Sequence, residues 1–94
     1  MQRLLGLDWG RERIGVAISD DRCIFAVGYG VWPAQEGGFI EKLASVVRDE
    51  DIGLIIVGYP LTLRGEQGRA TQEVDRFIAT IESHGYRVQR WDER

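Results

Sequence analysis

The sequence predicts an α/β domain: one mixed β-sheet with helices packed on it, in the order β-β-β-α-β-α-β. Three observations predict this. The apolar run Leu4 to Leu7 is followed by Asp8, Gly10 and a loosely alternating segment from Arg13 to Ser19, which together read as strand, tight turn, strand. Two later segments, one opening at Phe39 and one spanning Arg69 to Ser83, repeat apolar residues at helical spacing. Strand-like runs at Leu54 to Val57 and Tyr86 to Trp91 alternate with those helices, and such alternation joins parallel strands through right-handed crossovers.

Each element has its own justification. Leu4 to Leu7 suits a central, buried strand. Asp8 stands at its tip, where burying a carboxylate is costly unless a cation meets it. An Asx-turn, in which Asp8 caps its own backbone, is the other reading. Gly10 is able to take a positive φ and reverse the chain. Ile14, Val16 and Ile18 then fall on one face of the second strand.

A third strand, Cys23–Trp32, is antiparallel to the second and stops at Pro33. Gly28 and Gly30 weaken it and mark a bulge or an edge. Gly37-Gly38 precedes Phe39, Ile40, Leu43, Val46 and Val47, the apolar stripe of a helix of about a dozen residues. The run Leu54 to Val57 lacks alternation and reads as an interior parallel strand, buried on both faces. Residues 58–68 form a long irregular loop with three glycines, unusual enough in a small domain to suggest function. Val74, Phe77, Ile78 and Ile81 define the second helix, with His84 in its last turn and Gly85 as its stop. The fifth strand, Tyr86 to Trp91, leads into Asp92-Glu93-Arg94.

Composition sets the bounds. The chain has 94 residues, enough for one small domain and too few for two. Its 44% hydrophobic content supports a modest core. A single cysteine, Cys23, allows no internal disulfide and gives no metal-ligand spacing. No apolar run approaches the ~20 residues that span a bilayer, so no membrane association and a cytoplasmic location are expected. The net charge of −3 argues weakly against nucleic acid, but its distribution matters more. Acidity concentrates between Glu36 and Asp51, whereas residues 87 to 94 carry three arginines against two acids. If Asp8, Asp92 and Glu93 hold a cation, the surface around them becomes receptive to phosphate.

The topology draws the polar features together. Parallel α/β sheets gather ligands at the carboxyl ends of their strands. Asp8 ends strand one, the glycine loop follows strand four, and Asp92-Glu93 end strand five. Asp8 and Glu93, expected on adjacent strand ends, would share a proton or bind a cation. Magnesium is the hard, oxygen-seeking choice, and metals held this way support in-line phosphoryl displacement. Gly58, Gly65 and Gly68 offer backbone N–H groups to a phosphate, without matching a Walker or dinucleotide pattern. Arg11, Arg13, Arg64 and Arg69 could reach phosphates, although a solvated surface is the simpler reading for each alone. Trp9, Tyr59 and Trp91 flank the same rim, either as stacking platforms or as core filling. His84 and Cys23 are too isolated to carry chemistry.

Three motifs in order, Gly6-Leu7-Asp8-Trp9-Gly10 with Arg13-Ile14-Gly15-Val16-Ala17 and Ser19-Asp20, then Val57-Gly58-Tyr59-Pro60-Leu61 with Gly65 and Gly68, then Trp91-Asp92-Glu93-Arg94, span essentially the whole chain. They resemble the YqgF family, RNase H-like proteins described as Holliday junction resolvases and as pre-16S rRNA nucleases. The resemblance implies an RNase H-like fold over residues 1–94. It implies that Asp8 and Glu93 are metal-binding catalytic acids, with Asp92 as neighbour or substitute and Arg94 beside the substrate. Mg2+ or Mn2+ would be the cofactor. The partner would be structured nucleic acid: an rRNA precursor, with ribosomal particles nearby, or a four-way DNA junction. The family continues into a further helix with a third acid, so a domain truncated after Arg94, weakly active or inactive, is expected. Two other functions remain in view: a non-catalytic RNA- or ribosome-associated module, and a fragment of an actin-like phosphotransferase, whose first phosphate loop has a similar strand, Asp-x-Gly, strand pattern.

Overall fold

In the computed structural model, residues 2–20, 26–34, 37–59 and 69–92 are described. The elements are β1 (Arg3–Trp9), β2 (Arg13–Ser19), β3 (Ala26–Pro33), α1 (Phe39–Asp49), β4 (Ile52–Tyr59), α2 (Arg69–Ser83) and β5 (Val88–Asp92). Their order is the predicted one. The five strands form one sheet in the order β3-β2-β1-β4-β5. β2 is antiparallel to β1 and to β3, while β4 is parallel to β1 and to β5.

The alternation of each strand decides which face is buried. Leu5 and Leu7 of β1 sit opposite Ile18 and Val16 of β2 and Ile55 and Val57 of β4, and all six are buried. Leu43 and Val46 of α1 and Val74, Ile78 and Ile81 of α2 join them in a single core. Both helices therefore lie against one face of the sheet. A ring cluster extends that face: Phe39 and Phe77 have centroids 5.1 Å apart, and Trp9 and Trp32 pack on Phe77 and Phe39. No described helix covers the opposite face. For that reason Leu54 and Ile56 are only half-buried, and β4 is not the doubly buried strand its lack of alternation suggests.

Glycines shape the connections in two ways. Gly38, the N-cap of α1, and Gly85, after α2, take left-handed φ values of 89° and 90°. Gly85 thus ends α2 as expected, and His84 lies in that cap, its Nδ1 2.9 Å from the Thr80 carbonyl oxygen. Gly10 does not take a positive φ. It is needed for space instead: a Cβ there would stand 2.8 Å from the Arg13 carbonyl oxygen. The β2–β3 register slips between Val16, opposite Gly30, and Ala17, opposite Gly28, which leaves Tyr29 as the extra residue of a bulge. The strand ends differ by a few residues from the sequence reading: β4 is two residues longer at each end, and β5 begins at Val88. Residues 21–25, with Cys23 among them, lie outside the described residues. No described helix is long and apolar enough to cross a membrane.

Candidate active-site groove

The face that carries no helix is where Asp8 sits. Asp8 follows buried Leu7, so alternation turns its side chain away from the core and leaves it exposed. Its partner across β2 is Gly15. Around it lies an open groove of about 410 Å³, whose lining includes Gly6, Gly15, Ala17, Gly58 and Trp91 besides Asp8 itself. The floor is mostly glycine and alanine, so the backbone of three strands is within reach of whatever enters. Trp91 forms a wall and is 61% exposed.

Two expectations about Asp8 change. The carboxylate is not buried, so the burial cost that first singled it out does not arise. The strand that carries it is also not adjacent to β5, because β4 lies between β1 and β5. Two strand spacings separate those ends by roughly 10 Å. The intervening residue of β4 on the same face is Gly58, paired with Trp91, and it puts no side chain between them. Among the described residues, none donates a hydrogen bond or forms an ion pair to the Asp8 carboxylate.

The other predicted residues fall in different places. Asp92 closes β5 opposite Tyr59. Arg13 opens β2 and is exposed. Arg11 turns to α2, where its Nε and Nη2 donate to the two Glu73 carboxylate oxygens at 3.1 and 2.9 Å. This hydrogen bonding and the Glu73 charge raise the Arg11 pKa further. Glu93, Arg94, Arg64, Gly65 and Gly68 lie outside the described residues. Among the described residues, no three His, Cys, Asp or Glu side chains gather as a metal-holding group.

The aromatic residues separate cleanly. Trp9 is core filling, its ring centroid 6.4 Å from that of Phe77. Tyr59 is buried at the helix face, where its hydroxyl donates to Asp75 Oδ2 at 2.9 Å. Only Trp91 of the three reaches the groove. Burial in the first place, and then the hydrogen bond and charge of Asp75, raise the Tyr59 pKa against the opposing pull of Arg90 and Thr71. Asp75 and Arg90 were not singled out by the sequence. The alternation of β5 would have placed Arg90 on the helix side, but nothing local reveals that α2 presents a carboxylate there.

Residues 2–94 match the family described as "RuvX: Holliday junction resolvase". The chain belongs to this family. A relative from Chlorobaculum tepidum, named "Putative pre-16S rRNA nuclease", is 38% identical over 94 residues, covering 98% of this chain and 65% of its own. A relative of the same name from Dictyoglomus thermophilum is 40% identical, covering 98% of this chain and 68% of its own. The chain thus spans about two thirds of the length of these relatives. Among solved structures, Thermus thermophilus RuvC in complex with a Holliday junction substrate superposes with a TM-score of 0.63 at 14% identity, over 98% of this chain and 65% of that one. This likeness establishes the RuvC-type, RNase H-like fold of the family member described here.

Proposed function

We propose that this RuvX-family chain carries the core of a metal-dependent nuclease that hydrolyses phosphodiesters in structured nucleic acid. The observation that supports the reading best is the exposed Asp8 carboxylate at the carboxyl end of the central parallel strand, facing an open groove with no described partner. A bare carboxylate repels a phosphodiester; a divalent cation between them reverses that repulsion. Asp8 suits such an ion as an oxygen ligand. Glu93 is the proposed second acid, with Asp92 beside it. What supports this is that Trp91, two positions before Glu93, lines the Asp8 groove, and strand side chains alternate with a period of two.

The cation, Mg2+ or Mn2+, supplies Lewis-acid stabilisation of the developing phosphate charge and a lowered pKa for an attacking water. The protein's own residues do the rest. Asp8 holds an oxygen at a fixed point of the sheet, backed by β2 on one side and β4 on the other. Gly58 keeps the centre of the groove clear, and Arg13, with Arg64 and Arg94, is proposed to meet flanking phosphates. The relatives' name favours precursor 16S rRNA as substrate, and the family description favours a four-way DNA junction.

The test is cleavage of both substrates in Mg2+ and in Mn2+ by the chain and by Asp8→Asn, together with calorimetric titration of Mn2+. Slow, metal-dependent cleavage and Mn2+ binding, both lost in Asp8→Asn, are the expected results. Magnesium-independent binding of nucleic acid that survives Asp8→Asn and Glu93→Gln, without cleavage, would mean a binding module instead.

A further inference from the structure

The side of β4 and β5 turned away from the groove carries a polar cluster that the proposed chemistry does not use. Asp75 of α2 divides its two carboxylate oxygens between two strands. Oδ2 accepts from the Tyr59 hydroxyl at 2.9 Å. Oδ1 accepts from Arg90 Nη2 at 3.1 Å and from Arg90 Nε at 3.3 Å. The Arg90 guanidinium also lies over the Tyr59 ring, 5.5 Å from its centroid. Thr71, one turn before Asp75 on α2, is almost fully buried.

The location gives the cluster its meaning. Tyr59 is the last residue of β4 and stands opposite Asp92 in the parallel register. Arg90 is two residues before Asp92. β5 is an edge strand of five residues that pairs, among the described strands, with β4 alone, so its end depends on few ladder bonds. A carboxylate that grips the side chains of both strands fixes their ends relative to each other and to α2. The side chains of Arg90 and Asp75 remain 47% and 43% exposed, so a general contribution to stability is small. The link is stronger as a geometric device, because one charged acceptor fixes donors from two elements at once.

We propose that Asp75 is a positioning residue, which with Tyr59 and Arg90 holds the carboxyl end of β5 in register so that Trp91 and the Asp92 backbone keep a fixed place relative to Asp8. This rests on the nuclease reading above for its consequence, but not for its geometry. Asp75 touches neither substrate nor cation; it acts through Tyr59 and Arg90.

The experiment compares Asp75→Ala, Asp75→Asn and Tyr59→Phe with the unaltered chain by amide hydrogen exchange and by Mn2+ titration. In Asp75→Ala, exchange at residues 90–92 accelerates on the order of tenfold, while β1 and β2 keep their protection. Mn2+ affinity falls several-fold, and cleavage shows a raised metal requirement with its rate recovered at saturating Mn2+. Asp75→Asn, which keeps an acceptor but not the charge, lies between, so the comparison stands even if the alanine variant does not fold. Unchanged exchange at residues 90–92 in both Asp75 variants overturns the proposal. Uniform loss of protection across the sheet also overturns it, since the role would then be general stability. If exchange responds as stated but Asp8→Asn leaves cleavage intact, the nuclease reading fails and the strand clamp stands.

Discussion

Asp8 and Trp91 line one groove from strands that do not touch; β4 lies between them and lines the groove with Ile56 and, level with Trp91, Gly58. The glycine at that level therefore puts no side chain of its own between the carboxylate and the indole. The groove between these two side chains defines the candidate site among the described residues.

Replacing Asp8 with Asn should separate function from folding. The residue is exposed and has no described partner, so the urea midpoint should correspond to a stability change within about 0.5 kcal/mol. Metal-dependent cleavage should fall to background. A large loss of stability measured by urea denaturation would give Asp8 a structural role instead.

Two glycines near Asp8 should respond oppositely to alanine. At Gly10 the new methyl would stand 2.8 Å from a backbone oxygen, so the β1–β2 turn must shift. A cost of about 1–3 kcal/mol in chemical denaturation is expected. At Gly15 the methyl would lie 3.6 Å from Asp8 Cβ, an ordinary contact, and stability should barely move.

The Tyr59 hydroxyl predicts a loss of stability in alkali. Its folded-state pKa is raised above the ordinary value of 10.0, chiefly by burial, so folding favours the protonated phenol. The stabilisation is complete below pH 10, the unfolded-state value, and disappears as pH rises through the higher folded-state value. Urea midpoints measured across that range should fall more steeply for the unaltered chain than for Tyr59→Phe. Parallel curves would remove this hydroxyl from the alkaline transition.

Trp91 should dominate quenching of the intrinsic fluorescence. It is 61% exposed, while Trp9 and Trp32 are half-buried among aromatic rings. In Trp91→Phe, the acrylamide quenching constant should drop at least about twofold, with the folded state intact. Protection of Trp91 by added structured RNA or junction DNA would mark the groove as the binding face.

The amino-acid sequence by itself determined the element order, the parallel and antiparallel pairing, the bounds of α2 and the core stripe of each helix. These are local matters: apolar period, glycine stops and short apolar runs fix them before any distant contact forms. It also marked Asp8 through its place at a strand tip, although for a burial that does not occur. Only the tertiary structure decided that both helices lie on one face and leave Asp8 and Trp91 in an open groove. It alone inserted β4 between β1 and β5, turned Arg11 to Glu73, and brought Asp75 between Tyr59 and Arg90. Such pairings join residues 15 to 62 positions apart, and no local pattern encodes which exposed charge meets which once the sheet has closed.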